Sequence, residues 1–429
     1  MKILLIQSYL GKTELPIYPI SIASLLPHLS NHNVKALDLN VVENPFDELK
    51  KTVKTFQPDL TGISIRNIDS TNKKTIVFYY DYLKETISII KEQSNSKIAA
   101  GGAGFSIFAR EIMNDEPRID YGFFLESENT FPKLLDNIAK PENVKSLFYR
   151  RDGEVLFTGA EDNAPAMDEL QLPDRTLIPI DKYKHVPWGI GVETKRGCAL
   201  NCIYCVYGFL NGKAYRLRPA HKVAEDIETL VSQHGVTHFT FIDSVFNMPR
   251  SHAENVCKEL IRRKINATWS AWFIEKGFTR QFAELIKAAG CTNVILSPDA
   301  LSNSVLKKLG KAITKDEIVE TYNMLKTIGD IEISYNFFKN PPGQKFSHFL
   351  AVLLFCITAK LELRGLVHFE FNSLRIEPHT KLHQIALAEG VVSEEEESLL
   401  RPKYYTNGKT KYIEHIFNLL LTMKKRKSV

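Results

Sequence analysis

Two stretches of alternating strand and helix patterns constrain this chain more than any other feature. In residues 1–140, Lys2–Gln7, Val34–Leu37, Leu60–Ile65, Lys97–Ala100 and Tyr121–Phe124 read as strands. Helical periodicity fills Ile20–Leu29, Pro45–Phe56 and Lys73–Gln93, resumes near Ile107 and returns after Glu128. Strands separated by helices of this length build βαβ units, so a doubly wound, Rossmann-like parallel sheet is expected here. Over 141–185 the alternation stops: Arg150-Arg151-Asp152-Gly153 looks like a hairpin turn, and Pro165, Pro173 and Pro179 mark an extended linker. It resumes over 186–380, with strands at Gly191–Thr194, Phe239–Asp243, Ala267–Phe273, Asn293–Ser297, Ile331–Phe338 and Phe369–Arg375. Six such repeats predict a partial (β/α)6 barrel of TIM type, with its site at the C-terminal ends of the strands. Residues 381–429 read as a helical C-terminal region with two charge runs, Glu394–Glu397 and Lys424–Lys427.

Composition narrows the function classes. A length of 429 residues exceeds one ordinary core. With 44% apolar and 24% charged residues the chain is globular. A net charge of +5 is too small at this length to point to nucleic acid. No apolar run approaching the roughly 18–20 residues of a bilayer span is apparent, so no membrane span is expected. The apolar run at the N-terminus is too short for a secretory leader, and the basic C-terminus is expected to be solvated. Six cysteines are not a disulfide framework at this length, which implies a reducing, cytoplasmic compartment.

Three of those cysteines, Cys198, Cys202 and Cys205, lie together in Thr194-Lys195-Arg196-Gly197-Cys198-Ala199-Leu200-Asn201-Cys202-Ile203-Tyr204-Cys205, directly after a predicted strand. Thiolates select zinc, copper(I) or iron–sulfur clusters. A closed zinc site needs four ligands, and no fourth Cys or His stands at a zinc-like spacing. A [4Fe–4S] cube held by three cysteines keeps one iron open. Buried structural thiols are the remaining account.

The segment resembles the radical S-adenosylmethionine (SAM) superfamily, whose CxxxCxΦC signature is matched by Cys198, Cys202, Tyr204 and Cys205. The resemblance implies that the open iron chelates SAM, that reduction releases a 5′-deoxyadenosyl radical, and that Tyr204 packs near the adenine. It extends along the chain toward the branch with an N-terminal cobalamin-binding-like domain. Phe241-Ile242-Asp243-Ser244-Val245-Phe246-Asn247 resembles the end of the second barrel strand, with Ser244 in place of a second acid. Ala288-Ala289-Gly290-Cys291 and Val305-Leu306-Lys307-Lys308-Leu309-Gly310-Lys311 resemble the fourth βα unit, and Pro341-Pro342-Gly343-Gln344 the turn after the fifth strand. The usual Gly-Ile-Glu-Ser-Gly-Ser is replaced by Ser297-Pro298-Asp299-Ala300-Leu301-Ser302. Asp299 is then either a ligand to SAM or a helix N-cap. Glu275 stands where the branch usually has Arg-x-Asp.

By the same resemblance, Gly101-Gly102 and Arg66 line a cobalamin site. Paired glycines allow close backbone approach, in a tight turn as well as beside a corrin. No DxHxxG histidine is present, and Arg66 is not a metal ligand. The expected activity is cobalamin-dependent methylation of an unactivated carbon of a small molecule, at a site between barrel mouth and N-terminal sheet. A reductant such as flavodoxin or ferredoxin would be the partner. The rivals are a non-methylating radical rearrangement, cyclisation or dehydration, and a non-catalytic iron–sulfur or corrinoid binding protein.

Overall fold

The structure, a computed structural model, describes residues 1–161, 164–393 and 399–426, with side chains described through residue 419. The Glu394–Glu397 run and Lys427 lie outside the described residues. The chain divides into two compact units: residues 1–191 with two short later segments, and most of 192–429.

The first unit holds a seven-stranded sheet of order β2-β1-β3-β4-β5-β6-β7. Its strands are β1 (Lys2–Gln7), β2 (Asn33–Asp38), β3 (Leu60–Ser64), β4 (Lys97–Gly101), β5 (Tyr121–Phe123), β6 (Leu147–Arg151) and β7 (Glu154–Phe157). The first five are parallel, in register from Lys2↔Asn33 and Ile3↔Leu60. β1 is buried from Ile3 to Gln7, as a strand covered on both faces must be. The order 2-1-3-4-5 reverses direction between β1 and β3, and in such sheets ligands bind outside the C-terminal ends at that switch point.

Two expectations need correcting in this unit. Part of the supposed linker extends the sheet: β6 pairs antiparallel with β5 and β7, through a turn at Asp152 and Gly153 with φ of 54° and 84°. The helix expected from Lys73 begins at Tyr79. Side-chain turns take up the residues before it: Asp69 accepts from Thr71 N at 2.7 Å and Asn72 from Lys74 N at 3.1 Å.

The second unit is built on an open six-stranded parallel sheet. It comprises β8 (Gly191–Val192), β9 (His238–Phe241), β10 (Thr268–Phe273), β11 (Cys291–Asp299), β12 (Glu332–Phe338) and β13 (Val367–Asn372), neighbours in that order. This is the partial barrel. Trp269 on β10 is fully buried, and its indole N–H donates to Ala289 O at 2.7 Å. The strand expected over Phe369–Arg375 breaks at Ser373, where Leu374–Ile376 leaves to pair antiparallel with Lys403–Tyr405. The apolar phase explains the break: Phe369 and Phe371 are odd, Leu374 and Ile376 even, so one face cannot stay buried across Ser373.

A second correction concerns membrane-length apolar segments. The helix Phe346–Leu363 has 18 residues and a mean hydropathy of 1.7, long and apolar enough to cross a bilayer by length and composition. Here it packs on the barrel: Phe355 meets the rings of Tyr335 and Phe337 at 5.3 and 6.4 Å, and that of Phe369 at 6.1 Å.

Candidate functional site

The cysteine loop is held on every side by backbone hydrogen bonds. Cys198 N donates to Gly212 O at 3.0 Å and Ile203 N to Leu309 O at 3.0 Å, while Ile203 O accepts from Leu382 N at 2.8 Å. Gly197 has φ of 100°, and a Cβ there would stand 2.0 Å from Ala214 O. At Gly310 a Cβ would meet Asn201 O at 2.3 Å. The two glycines therefore set how closely the loop sits on its supports.

Asp243 and Ser244, expected at the cofactor, face this loop's scaffold. The Asp243 carboxylate accepts from Thr194 N at 2.9 Å, Thr194 Oγ1 at 2.5 Å and Lys195 Nζ at 2.8 Å. Both partners of the Lys195–Asp243 pair are at most 1% exposed. Ser244 Oγ donates to Gly197 O at 3.2 Å. These contacts brace the entry to the cysteine loop.

Burial raises the Cys202 thiol above its ordinary pKa and pushes Cys205 up to about 11. Such thiols become thiolates when a metal supplies the compensating charge. Among the described residues no three His, Cys, Asp or Glu side chains gather around one point, as ligands of a single ion do. A cube takes one cysteine at each of three separate irons, so its ligands stand further apart. The donor set fits an iron–sulfur cube with one open iron. Cys257, Cys291 and Cys356 are buried in other elements.

Asp299 closes β11 with φ of 67°, strained for a non-glycine residue. The N-cap of the next helix is Ser302, so the capping role considered for Asp299 does not apply. Its carboxylate accepts from the Tyr204 hydroxyl and pairs with Lys311 Nζ at 2.5 Å. Lys311 also donates to Ser297 O at 2.6 Å. Burial opposes charge on Lys311, but Asp299, Cys202 and Glu275 outweigh it and hold the amine protonated. Phe338 meets Tyr204 edge-on at 4.9 Å, so the Tyr204 ring is packed as an aromatic wall and tied to the end of β11. In the sequence Lys311 closes the Val305–Lys311 motif with nothing to mark its role beyond its place after Gly310.

Glu275 stands just past β10, 2% exposed, with Oε1 lacking any partner. Burial pushes its carboxyl up to about 7. Asn247 fixes the preceding residue from both sides, accepting from Ile274 N at 2.9 Å and donating to Ile274 O at 2.8 Å. A buried acceptor with an unfilled lone pair is a place for a ligand's donor.

In the first unit, the ends of β1, β3 and β4 bring Ser64, Arg66, Gly101 and Gly102 to one sheet edge. Ser21 and Ser64 share a hydrogen bond at 3.1 Å. Arg66 pairs with Glu14 at 3.5 Å, and Glu14 accepts from Tyr79 Oη at 2.6 Å. Gly102 has φ of 96°, and a Cβ there would lie 2.7 Å from Ile65 O, so the turn itself requires the glycine. Small side chains at a topological switch point leave backbone open to a large planar ligand, which fits a corrin. Arg66 offers cobalt no donor.

Two family models match the chain, one in each unit. The Radical SAM superfamily model matches residues 192–356, and the B12 binding domain model matches residues 6–135. An uncharacterized methyltransferase of Pyrococcus horikoshii is 26% identical over 329 residues, 76% of this chain and 69% of that protein. The anaerobic magnesium-protoporphyrin IX monomethyl ester cyclase of Rubrivivax gelatinosus is 25% identical over 66% of this chain and 51% of its own length. The radical S-adenosylmethionine methyltransferase TsrM from Kitasatospora setae, solved with cobalamin and a [4Fe–4S] cluster, superposes with a TM-score of 0.77. That match covers 91% of this chain and 75% of TsrM at 22% identity, a likeness of fold. The chain therefore carries a B12 binding domain over residues 6–135 ahead of a radical S-adenosylmethionine domain over residues 192–356.

Proposed function

We propose that this protein is a cobalamin-dependent radical SAM methyltransferase that methylates an unactivated carbon of a small molecule. The observation that carries the reading is the pairing, in one chain, of a clamped three-cysteine loop with a switch-point sheet edge lined by Ser64, Arg66, Gly101 and Gly102. When bound, the cluster and SAM supply a 5′-deoxyadenosyl radical, and cobalamin supplies the methyl group. The chain's own residues do the positioning. Gly197 and Gly310 seat the cysteine loop, and Asp243, Lys195 and Ser244 brace its entry. Asp299, paired with Lys311 and oriented by Tyr204, offers its remaining lone pairs to hydroxyl or ammonium donors of SAM. Glu275 Oε1, buried and without a partner, offers a second acceptor. A flavodoxin- or ferredoxin-class reductant supplies the electrons.

The test is anaerobic reconstitution with iron, sulfide, hydroxocobalamin and SAM, followed by turnover with candidate substrates. Methylation requires S-adenosylhomocysteine and 5′-deoxyadenosine to accumulate together. The cyclase relative supports a second reading, radical chemistry without methyl transfer. That reading requires 5′-deoxyadenosine without S-adenosylhomocysteine.

A further inference from the structure

The helix Phe346–Leu363 turns a continuous apolar stripe to solvent. Phe346, Leu350, Leu354, Ile357 and Leu361 are 42–72% exposed and recur at spacings of four, four, three and four, one face of a helix. Together they expose roughly 500 Å² of apolar surface, at the upper end for the largest patch on a monomer. The opposite face, Phe349, Val352, Cys356 and Ala359, is buried. Phe349 and Phe417 pack at 4.8 Å, which fixes the C-terminal helix Lys411–Arg426 beside it. Exposed Tyr412 then stands 6.4 Å from Phe346, ring to ring.

Cations stand at both ends of the stripe. Lys345 precedes it, Lys360 and Arg364 flank its far end, and all three are exposed. Glu362, the carboxylate on this helix, is taken by Lys326 at 2.9 Å and by the Tyr322 hydroxyl. A second copy laid on this face would bring cation against cation, whether the two helices ran parallel or antiparallel. Its area also falls short of the roughly 800 Å² per partner of a standard interface. An anionic lipid surface complements both features. Apolar side chains enter the acyl boundary, aromatic rings at one end sit at headgroup level, and cations meet the phosphates.

We propose that this face docks the protein on anionic membranes, with the helix lying in the interface rather than spanning it. Its buried face stays packed on the barrel.

The experiment is anaerobic flotation of the full-length reconstituted protein with phosphatidylcholine vesicles, with and without 30% phosphatidylglycerol. The wild type should float with the anionic vesicles, and raised salt should weaken binding. Leu354→Glu with Ile357→Glu, both at exposed sites, should lower partitioning about a hundredfold, with an unchanged cluster spectrum confirming the fold. Wild type that stays at the bottom with anionic vesicles overturns the proposal, as does flotation unaffected by the double substitution. A dimer in sedimentation analysis that the same substitutions dissociate also overturns it, giving the face to a second copy.

Discussion

Replacing Lys311 by Met removes the cation that holds the buried acids of the barrel mouth together. The Lys311–Asp299 contact is 2.5 Å, with side chains 10% and 5% exposed. Glu275 lies within its electrostatic reach, and Oε1 of Glu275 has no hydrogen-bond partner. Taking one partner out of a buried pair leaves an uncompensated charge, at a cost of about 3–5 kcal/mol. In a domain of roughly 150–250 residues each kcal/mol moves Tm by about 2–4 °C, so the barrel transition should fall by about 6–20 °C. Anaerobic scanning calorimetry of the cluster-free protein measures it without contribution from the cofactor. Asp299→Asn in the Lys311→Met background removes the stranded charge and should recover much of the loss. A single-variant loss under about 1 kcal/mol, or strictly additive effects in the double-mutant cycle, would refute the reasoning.

Three further outcomes follow from the same geometry. Glu275 has a folded pKa of about 7 against 4.5 when unfolded, so the folded state binds more protons between these values and stability falls as pH rises through that window. Glu275→Gln should flatten this dependence, matching wild type near pH 4.5 and exceeding it at pH 8 by about 3 kcal/mol in denaturant titrations; a parallel pH profile in both proteins would count against it. Replacing Cys198, Cys202 and Cys205 together by Ala should abolish the brown iron–sulfur absorbance, whereas replacing Cys257, Cys291 and Cys356 should leave it; loss in the second set would reveal a missed ligand. Bound cob(II)alamin should show no axial-nitrogen superhyperfine triplet in its electron paramagnetic resonance spectrum, because Arg66 is no ligand, and a triplet would place a protein or base nitrogen on cobalt.

Much of the fold was legible because each parallel strand is a short apolar run between helical periods. The same periodicity could not show that β6 and β7 join the sheet, since a hairpin of Tyr, Arg and Phe looks alike in a linker and at a sheet edge. The cysteine loop was legible because its chemistry lies in consecutive residues. The bonds of Asp243 to Thr194 and Lys195 were not, since nothing local in the sequence marks partners 49 and 48 positions away.

The sequence by itself determined the two alternating blocks, the three thiols and the lack of a cobalt-ligating histidine motif, because these are properties of residue type and spacing. Only the tertiary structure decided that Tyr204, Asp299 and Lys311 form one network, across 95 positions between Tyr204 and Asp299. It alone showed that one side of Phe346–Leu363 packs on the barrel while the other meets solvent. An apolar helix looks equally hydrophobic all round in sequence. Which side is buried depends on where strands β12 and β13 place Tyr335, Phe337 and Phe369, and that is set by sheet register over contacts distant along the chain.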